Sequence, residues 1–140
     1  MMQFSTTPGV QGICPDGWHL PTDDEIKTME MQLGMSQSQA DSSGWRGTDE
    51  GGKMKETGTT HWNSPNTGAT NTSGFTAIPG GYRDNYRLFP LSLGYIGDWW
   101  SSSEIGDDNA MCRSLGFDLG QVFRGAYYKS GGWSVRCLKN

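Results

Sequence analysis

Aliphatic residues are scarce in this chain. Leu, Ile, Val and Phe together number 21 among 140 residues, no more than the glycines, which also number 21. That aliphatic share falls below the ~20% associated with disorder, while glycine stands at about twice its usual ~7%. Disorder also needs a high net charge, whereas six Trp, five Tyr and a charge of −4 point to an ordered chain. No apolar run of about 18 residues exists, so no membrane insertion is expected. Basic residues are few as well: eleven Lys+Arg face fifteen Asp+Glu, with a pI near 5.0. That balance offers no footprint for nucleic acid. Met1 to Gly12 lack the basic-then-apolar order of a signal peptide. The chain therefore reads as a domain of a larger protein or one exported by another route. Its length suits one domain over 1–140, with a core over 14–139 and a lead-in segment over 1–13. What is present is a set of aromatic anchors among many turns.

The strongest local signal is Leu20-Pro21-Thr22-Asp23-Asp24-Glu25-Ile26. Thr22 with Glu25 three residues on forms a capping box, and the acidic residues suit the positive end of a helix. Ile26, Met29 and Leu33 share one face and Gly34 supplies a stop, predicting a helix over 22–33. Capping accounts for Asp23, Asp24 and Glu25 without invoking metal binding or acid–base chemistry. A short second helix fits 51–56, within a long polar stretch over 35–73 that Trp62 is placed to pin down. After Phe75 the pattern changes to short strands over 75–78, 99–103, 110–115, 121–124 and 133–138. In the last of these, Trp133, Val135 and Cys137 alternate with Ser134 and Arg136, which predicts one buried face. Helix first and strands last make an α+β protein.

Catalytic signatures are sparse. The three cysteines, at 14, 112 and 137, include no CxxC and no Cys/His cluster, so a structural zinc site is not expected. A Cys14–Cys137 bridge would staple the two ends of the domain, provided the compartment is oxidising. Three buried reduced thiols fit the odd count equally well. His19 and His61 belong to no HExxH pattern, and the nucleophile elbow GxSxG is missing. Gly51-Gly52 and Gly80-Gly81 lack phosphate-loop spacing and read as turns. Asp107, Asp108 and Asn109 carry the oxygen ligands that calcium favours, but without EF-hand spacing. A hairpin loop accounts for them, and no cofactor is expected, with calcium at this loop as the alternative.

Several motifs in order carry a family likeness. They are the run Cys14-Pro15-Asp16-Gly17-Trp18-His19-Leu20-Pro21-Thr22-Asp23, the stretch from Trp62 to Asn71, and Gly74-Phe75-Thr76-Ala77-Ile78-Pro79-Gly80-Gly81-Tyr82-Arg83. Trp99-Trp100-Ser101-Ser102-Ser103-Glu104 and Ser134-Val135-Arg136-Cys137 complete them. Together they resemble the Fibrobacter succinogenes major paralogous domain, a family of surface and secreted proteins of gut-type bacteria and their phages. The resemblance runs from Cys14 to Lys139. It implies a C-type-lectin-like fold of the branch shared with formylglycine-generating enzymes, with one or two helices, then short twisted antiparallel strands and long ordered loops. It also favours the Cys14–Cys137 link. The EPN, QPD and WND signatures of calcium-dependent sugar binding are missing. So is the nearby cysteine pair of the formylglycine-generating enzymes, since only Cys137 occupies that region.

Some lectin-like proteins of this kind are diversified by retroelements at exposed positions between the last strands. The resemblance puts Trp99, Trp100, Ser101, Ser102, Val135 and Cys137 in a fixed framework. Between them it makes candidates for a ligand-binding face of Asp98, Ile105, Asp107, Met111, Arg113, Phe117, Asp118, Val122, Phe123, Tyr127, Tyr128 and Trp133. Large apolar side chains among glycines and serines suit binding hot spots. The plainer alternative makes Met111, Leu115, Phe117 and Phe123 the core of a small sheet. The functional expectation is a non-enzymatic recognition module on a phage tail or bacterial surface protein, binding a cell-surface protein or glycan. An enzyme of the formylglycine-generating kind and a structural domain of a surface assembly, oligomeric through its parent, are the alternatives.

Overall fold

A computed structural model describes residues 7–84 and 92–140, so the expected lead-in over 1–13 is described from residue 7 onward. The capping box at Thr22 is formed as the spacing requires. Thr22 Oγ1 accepts the Glu25 backbone N–H, and Glu25 Oε2 accepts that of Thr22, opening helix α1 over Asp23–Gln32. A second capping box, Ser36 with Gln39, opens the short helix α2 over Gln37–Asp41. Its signature is as plain in the sequence as the first. A third helix, α3, covers Glu50–Met54, close to the expected 51–56. Gly51 and Gly52 lie within this helix rather than in a turn. A Cβ on Gly52 would sit 2.2 Å from the Gly68 carbonyl oxygen, so glycine here permits backbone-to-backbone packing.

The strands are β1 (Trp18–His19), β2 (Gly44–Arg46), β3 (Ile96–Ile105), β4 (Asn109–Gly116), β5 (Val122–Tyr128) and β6 (Leu138–Lys139). Four of them form an antiparallel sheet in the order β2-β5-β4-β3, while β1 pairs with β6. The protein is thus α+β. Two expected strands are not continuous. Over 75–78 only Ala77 bridges, to Lys55, and over 133–138 regular pairing is confined to β6. The reason is that this last segment divides its bonds among neighbours. Gly132 N–H donates to Arg83 O, Ser134 N–H donates to Asp98 O, and Ser134 O accepts Trp100 N–H. The expected alternation there is blurred, since Trp133, Ser134 and Val135 are all half-buried.

The largest core cluster joins Met35, Met54, Trp62, Trp99, Leu115 and Val122. Trp62 anchors the long loop as anticipated, with its indole N–H donating to Ala77 O at 2.8 Å. Beside it, Lys55 is fully buried and donates to Gly116 O and Leu119 O, and burial pushes its ammonium down to about 8. Cys14 and Cys137 are joined in a disulfide, with their Cα atoms 5.8 Å apart.

Candidate functional site

Strand alternation divides the sheet into two faces. The register pairs Asp98 with Ser114, Ser114 with Phe123, Cys112 with Gly125 and Ala110 with Tyr127, so these side chains share one face. Arg113 pairs with Arg124 on the other, which packs against α1.

The α1 side holds a buried ionic cluster. Arg113 Nε donates to Glu30 Oε1 and its Nη1 to Asp23 Oδ1, both at 2.7 Å. Arg46 Nη2 reaches Glu30 Oε2 at 2.7 Å, and Arg124 Nη2 reaches Asp23 Oδ2 at 2.6 Å. Burial alone would raise the Asp23 carboxyl, yet Arg124 and Arg113 hold it below its ordinary value. The acidic triplet therefore does more than cap the helix. Glu25 completes the capping box, Asp24 pairs with Lys27 at the surface, and Asp23 turns inward to two guanidinium groups.

The opposite face carries an aromatic cleft of about 310 Å³. Its walls are a chain of rings. Trp45 meets Phe123 edge-on at 5.5 Å, Phe123 lies 6.1 Å from Tyr127, and Tyr127 lies 4.6 Å from Trp133. Trp133 stacks on the buried Trp100 at 4.7 Å and leans toward Tyr82 at 6.3 Å. Gly125 makes room for this arrangement, because a Cβ there would lie 2.7 Å from the Phe123 ring. The buried Asp98 and Ser114 line the base. Ser114 donates its hydroxyl to Asp98 Oδ1, while Asp98 Oδ2 is buried with no hydrogen-bond partner among the described residues. Burial raises the Asp98 carboxyl to about 6, against the lowering effect of the Ser114 hydroxyl.

Five of the twelve expected face residues line this cleft: Asp98, Phe123, Tyr127, Tyr128 and Trp133. The others lie elsewhere. Met111, Arg113 and Val122 were expected on an exposed face and are instead buried. Arg113 is committed to the ionic cluster, and Val122 belongs to the main core. Asp98 is buried too, at the base of the cleft rather than on an open surface. Phe117 packs edge-on to Tyr95 at 5.1 Å against the core, and Asp118 is exposed near Lys55. Ile105 and Asp107 are exposed at the β3–β4 turn, where the Asp107 carbonyl accepts from Lys129 Nζ. Among the described residues no group of three or more His, Cys, Asp or Glu is placed to hold a metal ion.

The cleft also uses residues that sequence reasoning left out. Trp45 arrives from the edge strand β2, and Tyr82 with Arg83 from the segment beside β3. Tyr82 stood within a family motif and gave no separate sign of a site. Trp45 stood in a polar stretch, where exposure of an aromatic was the available signal.

Cys112 is left free and buried, and burial pushes its thiol up to about 12. Such a thiol is inert toward alkylating reagents in the native state. Iodoacetamide is expected to label no cysteine of the native protein, one after unfolding without reductant, and three after unfolding with reductant. Three labels without reductant would refute the bridge.

No helix among the described residues is long and apolar enough to cross a membrane. No curated protein and no solved structure matches the chain. The motifs from Cys14 to Cys137 nevertheless fall within a family model, that of the Fibrobacter succinogenes major domain, which matches residues 3–139, and the chain belongs to that family.

Proposed function

We propose that this protein is a non-enzymatic ligand-binding module on a C-type-lectin-like scaffold, with the aromatic cleft on the β3–β4–β5 face as its recognition site. The observation that carries the reading is the concentration of rings there. Tyr127 and Tyr128 are 44% and 59% exposed, beside the partly covered Phe123 and Trp133. Rigid aromatic groups that stay accessible in a concave surface cost little entropy to order and bury much area on binding. Phe123, Tyr127 and Tyr128 stand on the paired strand β5, a rigid platform, and the ionic cluster on the other face holds that platform against α1. A disulfide supports work in an oxidising setting, outside the cell or on a virion. The same location suits a phage tail or bacterial surface protein, with a cell-surface protein or glycan as ligand. Oligomerisation would come through the parent protein. Retroelement diversification would act on the cleft-lining positions while leaving Trp99, Trp100 and Cys137 unchanged. Support for a non-enzymatic role comes from the thiols, with Cys137 consumed in the bridge and Cys112 buried and protonated.

The test is a panel of surface glycans and peptides probed with the wild type, Tyr127→Ala and Tyr128→Ala. Truncating a central aromatic anchor costs roughly 2 kcal/mol, or about thirtyfold in affinity. At least one panel member should bind the wild type and lose about that factor with Tyr127→Ala, without a matching loss of thermal stability. Binding that ignores both substitutions would place recognition elsewhere.

A further inference from the structure

We infer that the aromatic cleft takes an alkylammonium group, as a lysine side chain presents it, with Asp98 as its counter-ion and the faces of Tyr127, Trp133 and Tyr82 as its walls. This rests on the cleft being the binding site and adds the chemistry of what enters it. Three observations converge. Asp98 is 3% exposed, and its Oδ2 has no hydrogen-bond partner among the described residues, although buried carboxylate oxygens are ordinarily paired. Asp98 nonetheless belongs to the cleft lining, so the cleft is the open space beside this carboxyl. Tyr82, Trp133 and Tyr127 pack on one another and line the same cleft as Asp98, and aromatic rings attract cations through their quadrupoles.

Among the described residues, the cations flanking this part of the sheet do not supply this partner. Arg113 lies on the α1 side of the sheet and is spent on Glu30 and Asp23, while Arg83 at the rim donates Nη2 to Ser130 O. An ionised carboxylate with a single hydrogen bond is a costly group to bury, and a cation of matching size relieves that cost. A neutral sugar would supply donors but would leave the charge unpaired. The raised carboxyl agrees with this. Its folded value of about 6 lies above the ordinary 3.8, so the native state binds the proton more readily than the unfolded chain. Asp98 therefore costs stability above about pH 6, and this cost is relieved as the pH falls toward 4. A ligand cation would do at neutral pH what the proton does in acid.

The experiment titrates the whole chain with N-acetyl-lysine methylamide, n-butylamine and the neutral norleucine analogue, following tryptophan fluorescence at pH 7.5 and pH 5. Among the described residues, the titratable and charged neighbours of Asp98 are Cys112 and Arg113 on β4, Tyr127 on β5, and Tyr82, Arg83 and Asp84 beside β3. Cys112 stands at about 12 and Tyr127 above its usual range through burial, so neither changes charge in this window. The lysine probe should bind about tenfold more weakly at pH 5 than at pH 7.5, following ionisation of a group near 6. Asp98→Asn should weaken it at least tenfold at pH 7.5 and abolish the pH dependence, while melting no lower than the wild type at that pH. Tyr127→Leu, which alters an exposed wall residue, should weaken binding without touching Asp98. Tighter binding of the lysine probe than of butylamine assigns the source to a protein side chain, and equal binding assigns it to free amines. Equal binding of norleucine, or a pH dependence that survives in Asp98→Asn, overturns the cationic ligand while leaving the cleft a binding site. If no probe perturbs the protein while panel ligands still depend on Tyr127, the cation inference alone fails. If panel binding also ignores Tyr127, both readings fail.

Discussion

Reduction of the Cys14–Cys137 bridge, or Cys14→Ser with Cys137→Ser, lowers native stability by about 5 kcal/mol in the chain-entropy model. The bridge joins residues 123 positions apart, so it removes from the unfolded ensemble almost the largest loop this chain can form. For a domain whose total stability is ordinarily 5–15 kcal/mol, the loss is a large share. It corresponds to roughly 15 °C in melting temperature at this chain length. The effect is concentrated by geometry. Cys14 is buried with Leu20, with Val10, Val135 and Cys137 packed against them, and the β1–β6 pair next to it has only two residues in each strand. Two short strands cannot hold the ends together alone. Calorimetry with and without reductant measures the change directly. A shift below about 3 °C would mean that β1, β6 and the Leu20 cluster are self-sufficient.

Glu30→Gln carries the second large effect, a loss of about 3–5 kcal/mol. Glu30 is fully buried and accepts from both Arg113 and Arg46, so the substitution leaves two guanidinium groups short of countercharge. The isosteric amide keeps the volume, which separates the electrostatic loss from a cavity. A triple replacement of Glu30, Arg46 and Arg113 by well-packed Met or Leu is expected to recover much of the loss. Urea denaturation of the single and triple variants distinguishes the two cases. The same cluster gives the protein an acid limit. Asp23 is held below its ordinary 3.8 by Arg124 and Arg113, so its contribution is present above that pH. It is lost as the pH falls through the lower folded value. Asp98 acts with the opposite sign, its cost growing as the pH rises from about 4 to about 6, so stability from these two carboxyls should be greatest near pH 4.

These two clusters show where a single sequence is informative. The first helix was legible because Thr22 and Glu25 act over three residues, and capping is local chemistry. The strands β3 and β4 were legible in their central portions for a similar reason, as β-rich runs between Gly and Asp/Asn breaks, whereas of β5 only the start, up to Arg124, was legible. The edge strand β2 was not, because Gly44–Arg46 forms a strand only by pairing with β5, nearly eighty residues away. The buried salt bridges were equally hidden. Asp23, Glu30, Arg46, Arg113 and Arg124 look like surface residues until the fold brings them together. Glu30 shows this well, since it shares with Asp23 and Ile26 the inward face of α1 that apolar periodicity alone assigns to hydrophobic residues.

The candidate site divides in the same way. Its region, the strands and turns from Asp98 to Trp133, followed from large aromatic side chains standing among small residues and from the family likeness. Its membership did not. Val122 and Phe123 are neighbours in sequence, yet Val122 enters the core and Phe123 lines the cleft. Successive side chains in a strand face opposite ways, and only packing against α1 decides which face becomes the interior. By itself, the sequence determined an α+β chain with a capped first helix, aromatic anchors and glycine-rich turns, because those features depend on contacts a few residues long. The tertiary structure decided that Arg113 is a core residue, that Trp45 and Tyr82 join the cleft, and that Asp98 lies buried at its base with one oxygen unpaired among the described residues. Those outcomes depend on register and face, which are set by residues far apart in the chain.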